Sequence, residues 1–211
     1  MRRLAVGRIV GLLVAVVAVG VSAWRGHDAL RLNAEFHEWI VARPMETDID
    51  LAQPGETTVP FHQTCGVSHG EGLYLECEIL RDSNRDIKGL FKNFSGNVTI
   101  KDVDGNEIES VTMNDETVRG GDGQVLLARF SPFRRGEYVA VIRIDSGAAA
   151  LEGKSQQIYA QYQLCGLEQM PAVVAGVFAF GAGLVGLVAA TCVLPGLLRF
   201  GVWRSIPVRK T

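Results

Sequence analysis

Two long stretches without a single charged side chain constrain this chain more than anything else in it. Ile9 to Trp24 (IVGLLVAVVAVGVSAW) and Pro171 to Leu198 (PAVVAGVFAFGAGLVGLVAATCVLPGLL) are apolar throughout, and all 23 Asp and Glu lie between Asp28 and Glu168. A bilayer core of about 30 Å takes roughly 20 helical residues. The second run exceeds that length. The first has 16 uncharged residues and is lengthened by Arg8 and Arg25, whose aliphatic stems let the charged heads reach the headgroups. Both are expected to be transmembrane helices, with the lipid bilayer as their partner.

The flanks set the orientation. The leader carries Arg2, Arg3 and Arg8, and the tail carries Arg199, Arg204, Arg209 and Lys210, with no acid in either. A Lys/Arg excess marks the cytoplasmic side. Both termini are therefore expected in the cytoplasm and the middle on the far side, periplasmic or extracellular. The Arg-over-Lys, Ala/Gly/Val-rich composition fits an integral protein of the bacterial cytoplasmic membrane. Of the 21 Lys and Arg, three precede the first run and four follow the second, leaving 14 against all 23 acids and a formal charge of −9 for the middle. So acidic a segment repels phosphate backbones, which disfavours binding to nucleic acid, and no nucleic-acid partner is expected. The expected division is a basic leader (1–8), a first span (9–24), a helical stalk (25–45), a β domain (46–165), a second span with its approach (166–198) and a basic tail (199–211).

The first run has a second reading. Val21-Ser22-Ala23 has small residues at the positions a signal peptidase selects, which would cut before Trp24. Against cleavage, Arg31 to Val41 contains no Gly or Pro, carries Leu32, Phe36, Trp39 and Ile40 on one side, and stops before Pro44. That pattern fits a spanning helix continuing into a stalk, with Trp24 and Trp39 near the interface.

The middle reads as strands. Val59, Phe61, Gln63 and Cys65 share one parity, and Leu73, Leu75, Cys77 and Ile79 alternate with Tyr74, Glu76 and Glu78. Val98 and Ile100 begin a strand that turns at Asp104-Gly105 and returns over Ile108 to Met113. Val125 to Phe130, Tyr138 to Ile144 and Ile158 to Leu164 follow. Asp82 to Phe94 reads as a loop with a helical turn, and Ala148 to Leu151 as a second turn. The fold class is mainly β: an extracytoplasmic antiparallel β-sandwich, jelly-roll or immunoglobulin-like, flanked by two transmembrane α-helices.

Pro54-Gly55-Glu56 before a strand, Asp102-Val103-Asp104-Gly105-Asn106 at a hairpin, and Arg135-Gly136-Glu137-Tyr138-Val139-Ala140-Val141 near the end resemble the secreted bacterial β-sandwich modules of the pre-peptidase C-terminal type. The resemblance implies a non-catalytic binding or stabilising module and carries no functional residues over. The chain departs from those modules in lying between two spans with no protease attached.

Candidate chemistry concentrates in one segment. His62, Cys65, His69 and Cys77 are zinc-ligand types, although their spacing matches no common zinc signature. His62, His69 and Glu71 are the candidate residues for a metal-dependent hydrolase. No nucleophile motif is present, no catalytic residue is singled out and no cofactor is expected. Asp102, Asp104, Asn106 and Glu107 offer oxygens to calcium, but an ordinary Asp-Gly turn explains them. Cys65, Cys77 and Cys165 are disulfide candidates; a Cys65–Cys77 bridge, slightly preferred over Cys65–Cys165, requires their strands to lie in opposite sheets.

In the second span, small residues recur every four positions as Ala175, Ala179, Gly183 and as Ala182, Gly186, Ala190. These read as two close-packing faces, one for the first span and one for a membrane-protein partner or a second copy. The leading expectation is a membrane-anchored binding or accessory module, with the His62–Gly72 and Asp115–Gln124 loops as candidate surfaces. The alternatives are the metal-dependent hydrolase and a self-associating structural protein.

Overall fold

The computed structural model describes residues 2–4, 6–81, 86–121, 124–201 and 203–205, without the side chains of 2–4, 81, 121 and 203–205. The side chains of Arg2, Arg3 and Arg204, the residues Arg209 and Lys210, and the loop residues 82–85 and 122–123 lie outside the described set. In chain order the elements are β1 (Arg2–Leu4), α1 (Val6–Val41), β2 (Glu46–Asp48), β3 (Gly55–Gln63), β4 (Glu71–Cys77), α2 (Ile87–Leu90), β5 (Ser95–Lys101) and β6 (Glu107–Asn114). There follow β7 (Arg119–Gly121), β8 (Gln124–Phe130), β9 (Gly136–Ser146), β10 (Gln156–Tyr162), α3 (Met170–Phe200) and β11 (Trp203–Ser205). Two compact units result: Met1–Phe36 with Gln169–Thr211, and His37–Glu168.

The helical unit joins the two ends of the sequence. Both helices are long and apolar enough to cross a membrane, with mean hydropathy 2.2 over the richest window of α1 and 2.3 over that of α3. The α1–α3 seam is built from small side chains. A Cβ on Gly186 would meet Val19 Cγ2 at 3.0 Å and Ala18 Cβ at 3.3 Å, and one on Gly183 would meet Ser22 Oγ at 2.9 Å. Ser22 Oγ donates to the Ala179 carbonyl (2.7 Å), and Gln169 Nε2 donates to Asn33 Oδ1 (2.9 Å). Short side chains let backbones approach until such polar contacts form.

The β unit contains two antiparallel sheets, one of five strands in the order β2-β10-β4-β8-β7 and one of four in the order β3-β9-β5-β6. Only β5–β6 and β7–β8 are sequential neighbours within a sheet; every other step from β2 to β10 passes from one sheet to the other. One buried cluster draws on both sheets, with Phe61, Val98, Ile100 and Ile142 from the second and Leu73, Leu75, Leu127 and Ile158 from the first. Each such side chain contributes about 1.5–3 kcal/mol by leaving water. The expected parities hold: Val59, Phe61, Gln63 and Cys65 are all buried, as are Leu73, Leu75 and Cys77. The β5–β6 hairpin turns where Asp104-Gly105 was expected to turn it, with Gly105 at φ +85°.

Several expectations are corrected. Ile79 lies in a 3-10 turn (Glu78–Arg81) and Leu164 beyond the end of β10, so neither extends a strand. The segment 115–124 contains the short strand β7, which pairs with β8. Its Arg-Gly-Gly sequence has no apolar alternation to announce a strand. Trp39 is buried, with the Arg135 guanidinium 5.4 Å from its ring centroid, rather than free to sit at a bilayer surface.

Candidate functional site

The segment from Thr64 to Gly70 is fastened to the end of β10. The Tyr162 hydroxyl accepts from the backbone N–H of Thr64 (2.8 Å) and of Cys65 (3.3 Å). The His69 N–H donates to the Gln163 carbonyl at 3.0 Å, and the Gln163 N–H donates to the Gly70 carbonyl at 2.9 Å. Gly70 closes the segment at φ +126°, and any Cβ there would run into the Phe130 carbonyl oxygen. Only glycine meets both demands. Beyond β10, Gly166 at φ +88° reverses the backbone after Cys165. The Glu168 carboxylate thereby accepts from the Cys165 N–H at 3.3 and 3.2 Å.

These two turns bring together three side chains from two segments that lie 96 residues apart in sequence. His69 Nδ1 lies 2.7 Å from Glu168 Oε1, and Cys165 Sγ lies 3.6 Å from His69 Nε2. The same sulfur is 3.7 and 3.8 Å from the two Glu168 oxygens. His69 is 57% exposed at its side chain, whereas that of Glu168 is 2% exposed. Burial works against ionisation of Glu168, yet hydrogen bonds from its own N–H, from the Cys165 and Gly166 N–H groups and from His69 hold its carboxyl below the usual range. Thiol, imidazole and carboxylate together are also the parts of an activated cysteine. The imidazole lies between the other two, Nδ1 toward Glu168 and Nε2 toward the thiol at a sulfur hydrogen-bond distance, and the sulfur is also as near the carboxylate as it is to the imidazole.

No family model matches the chain, and no curated protein matches it. Among solved structures, the chain is similar to a protein from Sulfurospirillum deleyianum at 13% identity, over 58% of this chain and 99% of that one, with a TM-score of 0.43. It is also similar to the flagellar cap protein FliD from Escherichia coli at 11% identity, over 89% and 72%, with a TM-score of 0.25. Neither likeness is strong enough to bear on fold or function.

The structure does not bring His62, His69 and Glu71 together. His62 points from the exposed face of β3 to Glu137 across the ladder, with Nδ1 and Oε1 2.5 Å apart. Glu71, the first residue of β4, is turned inward and fully buried, where its Oε1 accepts from Gln63 Nε2 and Ser68 Oγ, both at 2.7 Å. Of the expected trio only His69 joins the new cluster. Its partners carry no local metal-ligand spacing, because Cys165 and His69 meet across 96 residues of sequence. The available signal was the Cys-Gly-Leu-Glu turn directly after the last alternating strand.

All four cysteines are unbonded: Cys65 and Cys77 buried, Cys165 and Cys192 exposed. β3 and β4 do lie in opposite sheets, which the preferred bridge required. However, Gln63 beside Cys65 touches Glu71 at one end of β4, and Cys77 closes the other end, six residues on, or about 20 Å of strand. The Asp102 group is a turn: Oδ1 accepts from the Asp104 and Asn106 N–H groups at 2.9 and 2.8 Å, and Oδ2 from Asn106 Nδ2 at 3.0 Å. A groove of about 580 Å³ beside the 115–124 loop is lined by Val111, Glu116, Arg119, Leu126 and Arg129 among others.

In α3, Ala175, Ala179 and Gly186 are buried, and Ala182, Gly183 and Ala190 half-buried. Ala175 and Gly186 stand eleven residues apart, about three helical turns, so the two expected small-residue series share one face. That face is the seam with α1.

Proposed function

We propose that the chain is a membrane-anchored, non-catalytic binding or accessory module of the bacterial cell envelope. In this reading α1 and α3 span the cytoplasmic membrane, and the two sheets form an extracytoplasmic β-sandwich of jelly-roll or immunoglobulin-like kind tethered at both ends. The observation that carries it is the nakedness of the apolar helices: the most hydropathic 18-residue window of α1 is 6% buried and that of α3 22%. A core helix of a soluble protein hides such a face, so this exposure supports an apolar surrounding. The bond from Ser22 to α3 supports retention of α1 over cleavage beside it. Repeated crossing between sheets supports the sandwich, and the mixed Arg/Glu groove beside β7 supports a docking role.

Tags at both termini, tested in sealed bacterial spheroplasts, are expected to survive added protease while the middle is digested. Digestion of either tag, or a mature chain beginning at Trp24, overturns the topology. Purification in mild detergent is expected to bring down a stoichiometric partner that Arg119→Glu with Arg129→Glu releases. Recovery of the bare chain, or of self-assemblies alone, overturns the accessory role.

A further inference from the structure

We infer that His69, Cys165 and Glu168 form a binding site for one divalent transition-metal ion of the zinc class on the β unit. One donor atom from each residue lies within 4.8 Å of the others. Zinc bonds of about 2.3 Å to sulfur and 2.0–2.2 Å to nitrogen or oxygen, set at tetrahedral angles, separate sulfur from its neighbours by roughly 3.5 Å. The observed separations are 3.6 Å from Sγ to Nε2 and 3.7 and 3.8 Å from Sγ to the carboxylate. The triangle thus already has nearly the edges of a coordination tetrahedron on its sulfur side.

The donors decide the class of metal. A thiolate and a carboxylate together carry the charge that balances a divalent ion, and neutral imidazole completes a sulfur, nitrogen and oxygen set. Sulfur disfavours calcium and magnesium, which take oxygen, and the mixed set suits zinc or cobalt. The thiol gives up its proton to solvent as the metal binds. Glu168 is fixed from beneath, its side chain 2% exposed and held by the Cys165 N–H, while the His69 segment is bonded to Gln163. Two separately anchored turns therefore present the donors before any ion arrives. Because His69 and Cys165 are exposed, a fourth position remains open to water or to a group of an incoming ligand. The inference is independent of the membrane reading, since the donors all belong to the β unit.

The test uses the full chain in mild detergent, reduced and freed of metal, titrated first with Co²⁺ and then with competing Zn²⁺. One Co²⁺ per chain is expected, with a thiolate-to-cobalt charge-transfer band that Zn²⁺ abolishes. Cys165→Ser should remove the band, and His69→Ala and Glu168→Gln should each weaken binding by about tenfold or more. Cys65→Ser, Cys77→Ser, Cys192→Ser and His62→Ala should leave it unchanged. Thermal melting of each variant in chelator establishes that it still folds. Absence of the band at stoichiometric cobalt, its survival in Cys165→Ser, or affinity indifferent to His69 or to Glu168 overturns the site.

Discussion

Glu71 is a carboxyl fully buried in the fold. Burial raises its pKa above the usual 4.5, against the hydrogen bonds from Ser68 and Gln63 that favour the anion, and Glu109 adds to the rise. Its Oε2 has no partner among the described residues. Since the folded value is raised, the native state favours the neutral acid. The associated stability is complete below 4.5 and is lost as pH rises through the raised folded value. In chelator-containing buffer, Tm is therefore expected to fall with rising pH, and Glu71→Gln should flatten that fall and stabilise the protein at neutral pH. Retention of the full slope in Glu71→Gln would clear Glu71 as its source. Glu71→Ala should instead cost about 1–3 kcal/mol in a denaturant melt, because two buried donors lose their acceptor. The cysteines divide in the same manner. Cys65 is buried, which pushes its thiol up despite the backbone N–H groups of Val67 and Ser68 and the charge of Arg135 nearby. Alkylation of the metal-free native protein should label Cys165 rapidly and Cys65 only on unfolding; equal rates would contradict the burial.

Among elements, the turn ending at Gly70 joins fold to site. Gly70→Ala must both hold an alanine at positive φ and displace the Phe130 carbonyl, so a loss above about 1 kcal/mol is expected in urea melts. A neutral result would mean that the turn relaxes without strain. The α1–α3 seam should be equally sensitive: Gly183→Leu or Gly186→Leu should lower the melting temperature of the helical unit in detergent, since Ser22 and Val19 occupy the space. Most strands were legible because β3, β4 and β5 each have one buried parity, which the alternation of Val59, Phe61 and Gln63 or of Leu73 and Leu75 records directly. β7 was not, for it pairs at an edge through Arg-Gly-Gly and buries little. Of the metal triangle only His69 was legible. His69 stood out in its Gly-rich segment, but nothing local says that Cys165 and Glu168 return to meet it, because sheet order decides that. Nor did the four-residue spacing in α3 reveal one seam; that required following the helix round to Gly186.

At the scale of the whole molecule, charge and apolarity are segregated by unit. A fragment spanning residues 37–168 is expected to be soluble without detergent, to bind an anion exchanger and to melt cooperatively, whereas the full chain needs detergent. Precipitation of that fragment would show that the helices complete the β core. β10 is the last strand of the β unit yet sits between β2 and β4, the first two of its sheet. Leu51 N donates to Gln156 Oε1 across 105 residues of sequence, and Ile49 N to the Gln156 carbonyl. A ribosome building this protein consequently makes both borders of a vacant slot long before it makes the strand that fills it. Until Gln156 to Tyr162 emerge, β2 and β4 offer unpaired edges to any passing strand. Biosynthesis therefore has a vulnerable interval whose length is set by the order of the gene, and slowing synthesis just upstream of β10 would lengthen it.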